Sequence, residues 1–251
     1  MNKIYFHIWA ICCLCFLAAS CQKDSASESP NHIGEGGSMA RFTIVNNYLY
    51  SVDNTTLHIY NISQANQPVW AANVDIGRGI ETIFSYNNYL FIGSTDGMYI
   101  YDISNPTNPA NGISFEHATS CDPVVANDSL AFITLRGGGD CNSFVESGLY
   151  IVDITNINNP QEIYYQYMYS PYGLGYDNQL LFVCEGSHGL SVFDYTDPQN
   201  LIEVEHITDI NTRDVIPQDG NLLVVGPEAL YQYSYANPDS IYQISTLQYD
   251  L

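Results

Sequence analysis

Glu81 and Asp122 occupy matching places in neighbouring copies of a repeated sequence unit. Two carboxylates facing one cleft can divide acid and base or nucleophile work on a glycosidic bond. The matching places in the other copies hold Phe42, Tyr172 and Arg213, so the set lacks a third carboxylate. Varied polar and aromatic side chains at equivalent positions suit a binding surface better than a reaction centre. Arg136, at the start of the Gly-rich stretch Arg136-Gly-Gly-Gly-Asp-Cys141-Asn, joins this candidate ligand-binding set.

Other chemistry is weakly supported. Ser187 and His188 are adjacent in Gly186-Ser187-His188-Gly189, but sequence neighbours rarely make a nucleophile–base contact, and the tetrapeptide reads as a turn. His58, His117 and His206 are scattered and match no metal-ligand spacing. Gly137-Gly138-Gly139-Asp140 lacks the Lys and the following helix of a phosphate loop. The carboxylates show no EF-hand-like series for Ca²⁺. No catalytic residue, metal or cofactor is assigned.

These residues sit on a framework that repeats five times. The phrase reads Leu57-His-Ile-Tyr-Asn-Ile-Ser, Met98-Tyr-Ile-Tyr-Asp-Ile-Ser, Leu149-Tyr-Ile-Val-Asp-Ile-Thr, Leu190-Ser-Val-Phe-Asp-Tyr-Thr and Leu230-Tyr-Gln-Tyr-Ser-Tyr-Ala. Its fifth position is Asn61, Asp102, Asp153, Asp194 and Ser234, spaced by 41, 51, 41 and 40 residues. Before each phrase lies an aromatic and aliphatic run, such as Tyr89-Leu-Phe-Ile or Leu180-Leu-Phe-Val. Asn87-Asn88, Asp177-Asn178 and Asp219-Gly220 precede these runs, and such pairs tolerate the positive φ of tight hairpins. A fourth strand follows a Pro, as at Pro160 and Pro198. No helical period is sustained. A period near 41 with four short strands is the pattern of an all-β propeller, here five blades of four antiparallel strands. The Asp of the phrase reads as a turn-former, since Asn and Ser replace it.

The phrase Leu-Tyr-Ile-Val-Asp-Ile-Thr followed by Asn and Pro resembles the LVIVD repeat. The resemblance implies a bacterial, exported or surface-associated β-propeller and carries no general activity. Some five-bladed propellers cleave polysaccharides with carboxylates around the channel, so a hydrolase or lyase using Glu81 and Asp122 is the alternative to a binding module. The five units run from a first strand near Phe42-Thr-Ile-Val to a last near Ile241-Tyr-Gln-Ile. The ring either closes or remains incomplete and dimerises; no strand exchange is evident to lock its ends.

In a four-stranded meander the link into strand one and the loop between strands two and three share one end of the blade. Unit three carries a long insertion in that loop: 19 positions separate Leu130 from Leu149, against 8 from Leu90 to Met98. Cys121, at the entry to strand one, and Cys141, in the insertion, are therefore placed on one face and expected to form a disulfide. Closing a loop of ~20 residues stabilises by about 3 kcal/mol in the chain-entropy model. Cys184 lies in an apolar strand and reads as a buried thiol.

The chain begins with an export signal over residues 1–20: Lys3, then an apolar run from Ile4 to Phe16, too short to span a bilayer. Ala18-Ala19-Ser20-Cys21 resembles the lipobox of bacterial lipoproteins, which implies a lipid on Cys21. Residues 21–38 are a polar tether, and 39–251 the propeller. The expected address is an outer-membrane lipoprotein on the periplasmic or cell-surface side. With 6 basic and 27 acidic residues in 251, the formal charge is −21. That field repels phosphate backbones and excludes nucleic acid as a partner. The expected function is a membrane-tethered module binding a protein or a glycan.

Overall fold

The computed structural model describes residues 37–110, 113–116, 123–137 and 146–249. The chain divides into two units, 1–31 and 32–251, and all described residues belong to the second. They form twenty strands in five four-stranded antiparallel sheets, with no helix among the described residues. Blade one holds β1 (Phe42–Val45), β2 (Tyr48–Val52), β3 (Thr56–Asn61) and β4 (Val69–Asp75). Blade two holds β5 (Ile80–Tyr86), β6 (Tyr89–Ser94), β7 (Gly97–Asp102) and β8 (Ser114–Glu116). Blade three holds β9 (Val124–Ala126), β10 (Leu130–Leu135), β11 (Gly148–Asp153) and β12 (Gln161–Tyr167). Blade four holds β13 (Leu174–Asp177), β14 (Leu180–Cys184), β15 (Leu190–Asp194) and β16 (Ile202–Ile207). Blade five holds β17 (Asp214–Gln218), β18 (Asn221–Val225), β19 (Ala229–Ser234) and β20 (Tyr242–Gln248). The chain is an all-β propeller of five blades.

Four of the five first hairpins turn on an αL residue, Asn46, Asn87, Asn178 and Asp219, with φ near +50°; in blade three Asn127 Oδ1 instead accepts the Ser129 and Leu130 N–H groups. The phrase is the third strand. Its Asp or Asn accepts the backbone N–H two residues on, at 2.9 Å (Ser63 to Asn61), 2.7 Å (Ser104 to Asp102), 2.8 Å (Thr155 to Asp153) and 2.7 Å (Thr196 to Asp194). In every blade the next residue also donates back to the blade's own first turn, as Ile62 does to Asn47 and Tyr235 to Gly220, both at 2.8 Å. The phrase therefore closes the blade at its turn end, and its carboxylate is structural. These short hydrogen bonds hold Asp102, Asp153 and Asp194 below the usual carboxylate range.

The core lies between blades. Odd positions of each second strand face the following blade and even positions the preceding one. Tyr50, Val52, Leu57 and Ile59 of blade one pack on Ile83, Leu90, Ile92 and Tyr101 of blade two. The same layers recur between blades two and three, three and four, and four and five. Second strands of blades two to four are buried on both faces; β2 and β18 of the end blades alternate buried and part-exposed residues.

Pairing also settles the phase of β1. Phe42 pairs with Ser51 at the level where Ile83, Val124, Leu174 and Val215 pair with Ile92, Ile133, Val183 and Val224. Blade one is thus shifted by two residues from the sequence alignment. Ala40, not Phe42, stands at the level of Tyr172 and Arg213. The tetrapeptide Phe42-Thr-Ile-Val is nearly all apolar, so it offers no polar marker from which to count.

Candidate functional site

Links into the first strands and loops between second and third strands gather at one end of the channel. A cavity of about 580 Å³ opens there, lined by Arg41, Glu81, Arg136 and Tyr172, with Met39 and Asp53 among its other walls. A second cavity, about 320 Å³, runs along the inner strands of all five blades and is lined by Phe42, Phe84, Val125, Tyr176 and Pro217 among others. Segment 37–40 contributes Met39 to the first and Ser38 and Ala40 to the second.

Each mouth residue has a local reason for its place. Glu81 is the extra residue of a bulge between Ile80 and Thr82, and bulges re-aim side chains at strand ends. Tyr172 precedes β13; its N–H donates to Cys184 O at 2.7 Å and its carbonyl accepts from Thr134 Oγ1 at 2.5 Å. Its ring packs against Gly186, φ +59°, where an added Cβ would lie 2.8 Å from the ring. Arg136 follows β10. Arg213 precedes β17, its N–H donating to Val225 O at 2.7 Å. Both guanidiniums lie over the Tyr172 ring, at 4.0 Å for Arg136 and 4.1 Å for Arg213. Arg41 Nη2 donates to Ile80 O at 2.8 Å. Arg78, in the link from β4 to β5, borders a shallow depression with Thr55 and Thr56 on the same side. All four arginines of the chain thus gather at this end.

The structure therefore brings together Glu81, Arg136 and Tyr172, and joins Arg213 to them through the tyrosine ring. Phe42 stands lower, in the channel. Asp122, Cys121, Cys141 and Cys21 lie outside the described residues. Arg41 and Arg78 escaped the sequence reading; the scarcity of basic residues, set against the repeat, was the signal that marks them.

Stacking occupies the face of a guanidinium and leaves its N–H edge to hydrogen-bond acceptors, the geometry that suits carboxylates, sulfates and phosphates. Asp53, on the blade-one rim, is already engaged. It accepts N–H bonds from Thr55 and Thr56 at 2.8 Å each and faces His58 Nε2 at 3.0 Å. These donors, the Thr55 N–H first, hold its carboxyl down at about 2. Asp53 in turn raises His58, whose other ring nitrogen meets Asn73 Oδ1 at 3.1 Å.

Asp214, first residue of β17, is enclosed. Its carboxylate accepts from Ser38 Oγ at 3.2 Å, from Val215 N–H at 3.0 Å and, more weakly, from Met39 N–H at 3.4 Å. A Cβ on Gly37 or Gly173 would strike it, at 2.0 and 2.2 Å. Burial pushes its pKa up to about 6 against these hydrogen bonds. Ser187 and His188 form a hairpin turn between Gly186 and Gly189, both at positive φ, with the His188 ring stacked on Tyr169 at 4.0 Å. Cys184 is a buried free thiol, raised by desolvation.

Residues 81–116, the second blade, match the LVIVD repeat model. The whole fold resembles solved structures of low identity. A protein from Lactobacillus plantarum shares 14 % identity at a TM-score of 0.64, over 81 % of this chain and 73 % of that one. The periplasmic gluconolactonase PpgL of Pseudomonas aeruginosa shares 14 % at 0.60, over 83 % and 67 %. The computationally designed Ika8 protein shares 10 % at 0.60, over 82 % of this chain; the chain spans only 60 % of its length. No curated protein matches the sequence. The likenesses show the fold: blade two is an LVIVD repeat, and the chain is a β-propeller whose other four blades share its strand plan.

Proposed function

We propose that the protein is an exported, lipid-anchored binding module whose channel mouth takes the acidic group of a glycan or protein partner. One observation carries this reading. In a chain with 27 acidic residues, Arg41 and Arg136 line one cavity with Tyr172, and Arg213 stacks on the same tyrosine ring. An acidic protein that concentrates its few cations at one concave site creates a local field opposite to its net charge. The tyrosine ring already holds the planes of Arg136 and Arg213, so little side-chain entropy is lost when the partner's acidic group binds there.

The test is binding of the purified protein to an array of uronate-terminated, sulfated and neutral glycans and to acidic peptides. Retention of acidic probes over neutral ones supports the reading; indifference to charge removes it. Cleavage of a polysaccharide by the protein, lost on substituting Glu81 and Asp122, would instead establish the hydrolase or lyase alternative. Anchoring is tested separately: labelled palmitate should enter the wild-type protein in bacteria and not Cys21→Ala.

A further inference from the structure

Charge is divided between the two ends of the channel. The turn end, opposite the arginine mouth, is built from the first hairpins and the links between third and fourth strands. Those segments hold Asp128, Asp197, Asp219 and Asp239 and contain no Lys, Arg or His. The four arginines all stand at the other end. A field of one sign over the turn end attracts cations and repels acids.

The cavity of about 320 Å³ along the inner strands reaches this end, and its wall changes character on the way. Next to the mouth, segment 37–40 stands between the two cavities, with Ser38 and Ala40 lining the channel and Met39 the mouth. The middle of the wall is apolar, with Phe42, Phe84, Val125 and Pro217. Phe42 is 59 % exposed although it lines a cavity. Two hydroxyls in this wall, Thr43 Oγ1 and Ser85 Oγ, are buried and bond each other at 2.8 Å. The middle therefore suits an apolar body.

At the turn end the wall becomes aromatic and anionic, with Tyr86 and Tyr176 beside Asp177 and Asp219. Both rings are tied by their hydroxyls. Tyr176 donates to Ala126 O at 2.8 Å, and Tyr86 donates to the Asp128 carboxylate. Asp177 accepts the Tyr235 hydroxyl at 2.9 Å, and Asp219 occupies the αL corner of its hairpin at φ +49°. Among the described residues neither carboxylate meets a basic side chain. Burial first, then neighbouring tyrosines and carboxylates, push Tyr176 up; burial and Asp177 do the same to Tyr235. The phenols thus stay neutral, and the charge of this end belongs to the carboxylates.

We propose that the channel is a second binding site, one that takes a small organic cation: an ammonium group carried on an apolar body. The body lies among Phe42, Phe84 and Val125, and the ammonium group meets Asp177 and Asp219 beside the Tyr86 and Tyr176 rings. Aromatic faces and carboxylates both favour an ammonium group that has left bulk water. Ligand cavities run roughly 300–1,000 Å³, and this one, at about 320 Å³, is at the small end. The occupant is therefore a small molecule and not a peptide or an oligosaccharide. The two ends of one channel then select opposite charges.

Calorimetric titration of the purified protein with three probes tests the proposal. Phenethylammonium carries both charge and body, phenethyl alcohol lacks the charge, and methylammonium lacks the body. Phenethylammonium should bind saturably at a single site, with each of the others weaker by about tenfold or more. Asp177→Asn/Asp219→Asn keeps an oxygen acceptor for Tyr235 and a residue that tolerates positive φ. That variant should unfold as the wild type does and lose the preference for phenethylammonium over the alcohol. Phe42→Ala, at an exposed position, should weaken phenethylammonium and phenethyl alcohol alike. No saturable binding of phenethylammonium, equal affinity for it and the alcohol, or unaltered binding in the double variant would overturn the proposal.

Discussion

Tyr172 gathers two guanidiniums over one ring, at the mouth of a channel in an otherwise acidic protein. Each cation–π contact contributes ~0.5–2 kcal/mol. Tyr172→Leu should therefore weaken an acidic ligand by about tenfold or more, read by titration, while thermal unfolding moves little. Asp214 makes a different prediction. Its folded pKa, about 6, lies above the ordinary 3.8. Its contribution to stability is thus full below about pH 3.8 and is lost as pH rises through 6, amounting to about 3 kcal/mol. Asp53, Asp102, Asp153 and Asp194 are lowered and act in the opposite sense, losing their contribution as pH falls through their folded values. Unfolding scans of wild type and Asp214→Asn between pH 4 and 7 should show the variant gaining on the wild type as pH rises. A constant difference across that range would show that Asp214 is not titrating there. The mouth was partly legible in the sequence. Glu81, Tyr172 and Arg213 follow from counting back along equivalent strands. The stacking of Arg136 and Arg213 does not, because residues distant in sequence meet only through the ring.

At the scale of the element, each blade is a meander closed by its third strand. The Asp of the phrase ties the following turn and is held below its usual range by the bonds it accepts. Asp153→Ala removes bonds from both the N–H and the hydroxyl of Thr155, at 2.8 and 2.7 Å. It should cost about 1 kcal/mol in denaturant unfolding without affecting ligand binding. In the first hairpins, Asn178→Val forces a β-branched side chain into positive φ and should cost about 1–3 kcal/mol; Asn178→Gly should cost far less. The strand plan was readable because period-two apolar runs and turn pairs recur five times. The phase of β1 was not, since three of its four residues are apolar and its outward face lacks the neighbour that would distinguish them.

For the whole molecule, blades two to four are buried on both sides and the end blades on one. Terminal units of repeat arrays commonly differ on their outer faces. On blade five that face carries Asn221 and Gln232 beside Leu223 and Val225, and on blade one it carries Ser51 and His58 beside Leu49 and Tyr60. The sequence favoured a ring that closes and kept an incomplete ring as the alternative, since closure depends on how the chain entering β1 meets β17, where Ser38 donates to Asp214 and accepts from Leu174. The net charge of −21 also repels long polyanions as a whole, so the mouth should favour a short or terminal acidic group. The most direct measurement is calorimetric titration of a uronate-terminated oligosaccharide and an acidic peptide into wild type and Arg136→Gln/Arg213→Gln. Saturable binding of an acidic probe by the wild type, lost in the double variant with unchanged unfolding, is the predicted result. Equal affinity in both proteins, or no binding of either probe by the wild type, would contradict it.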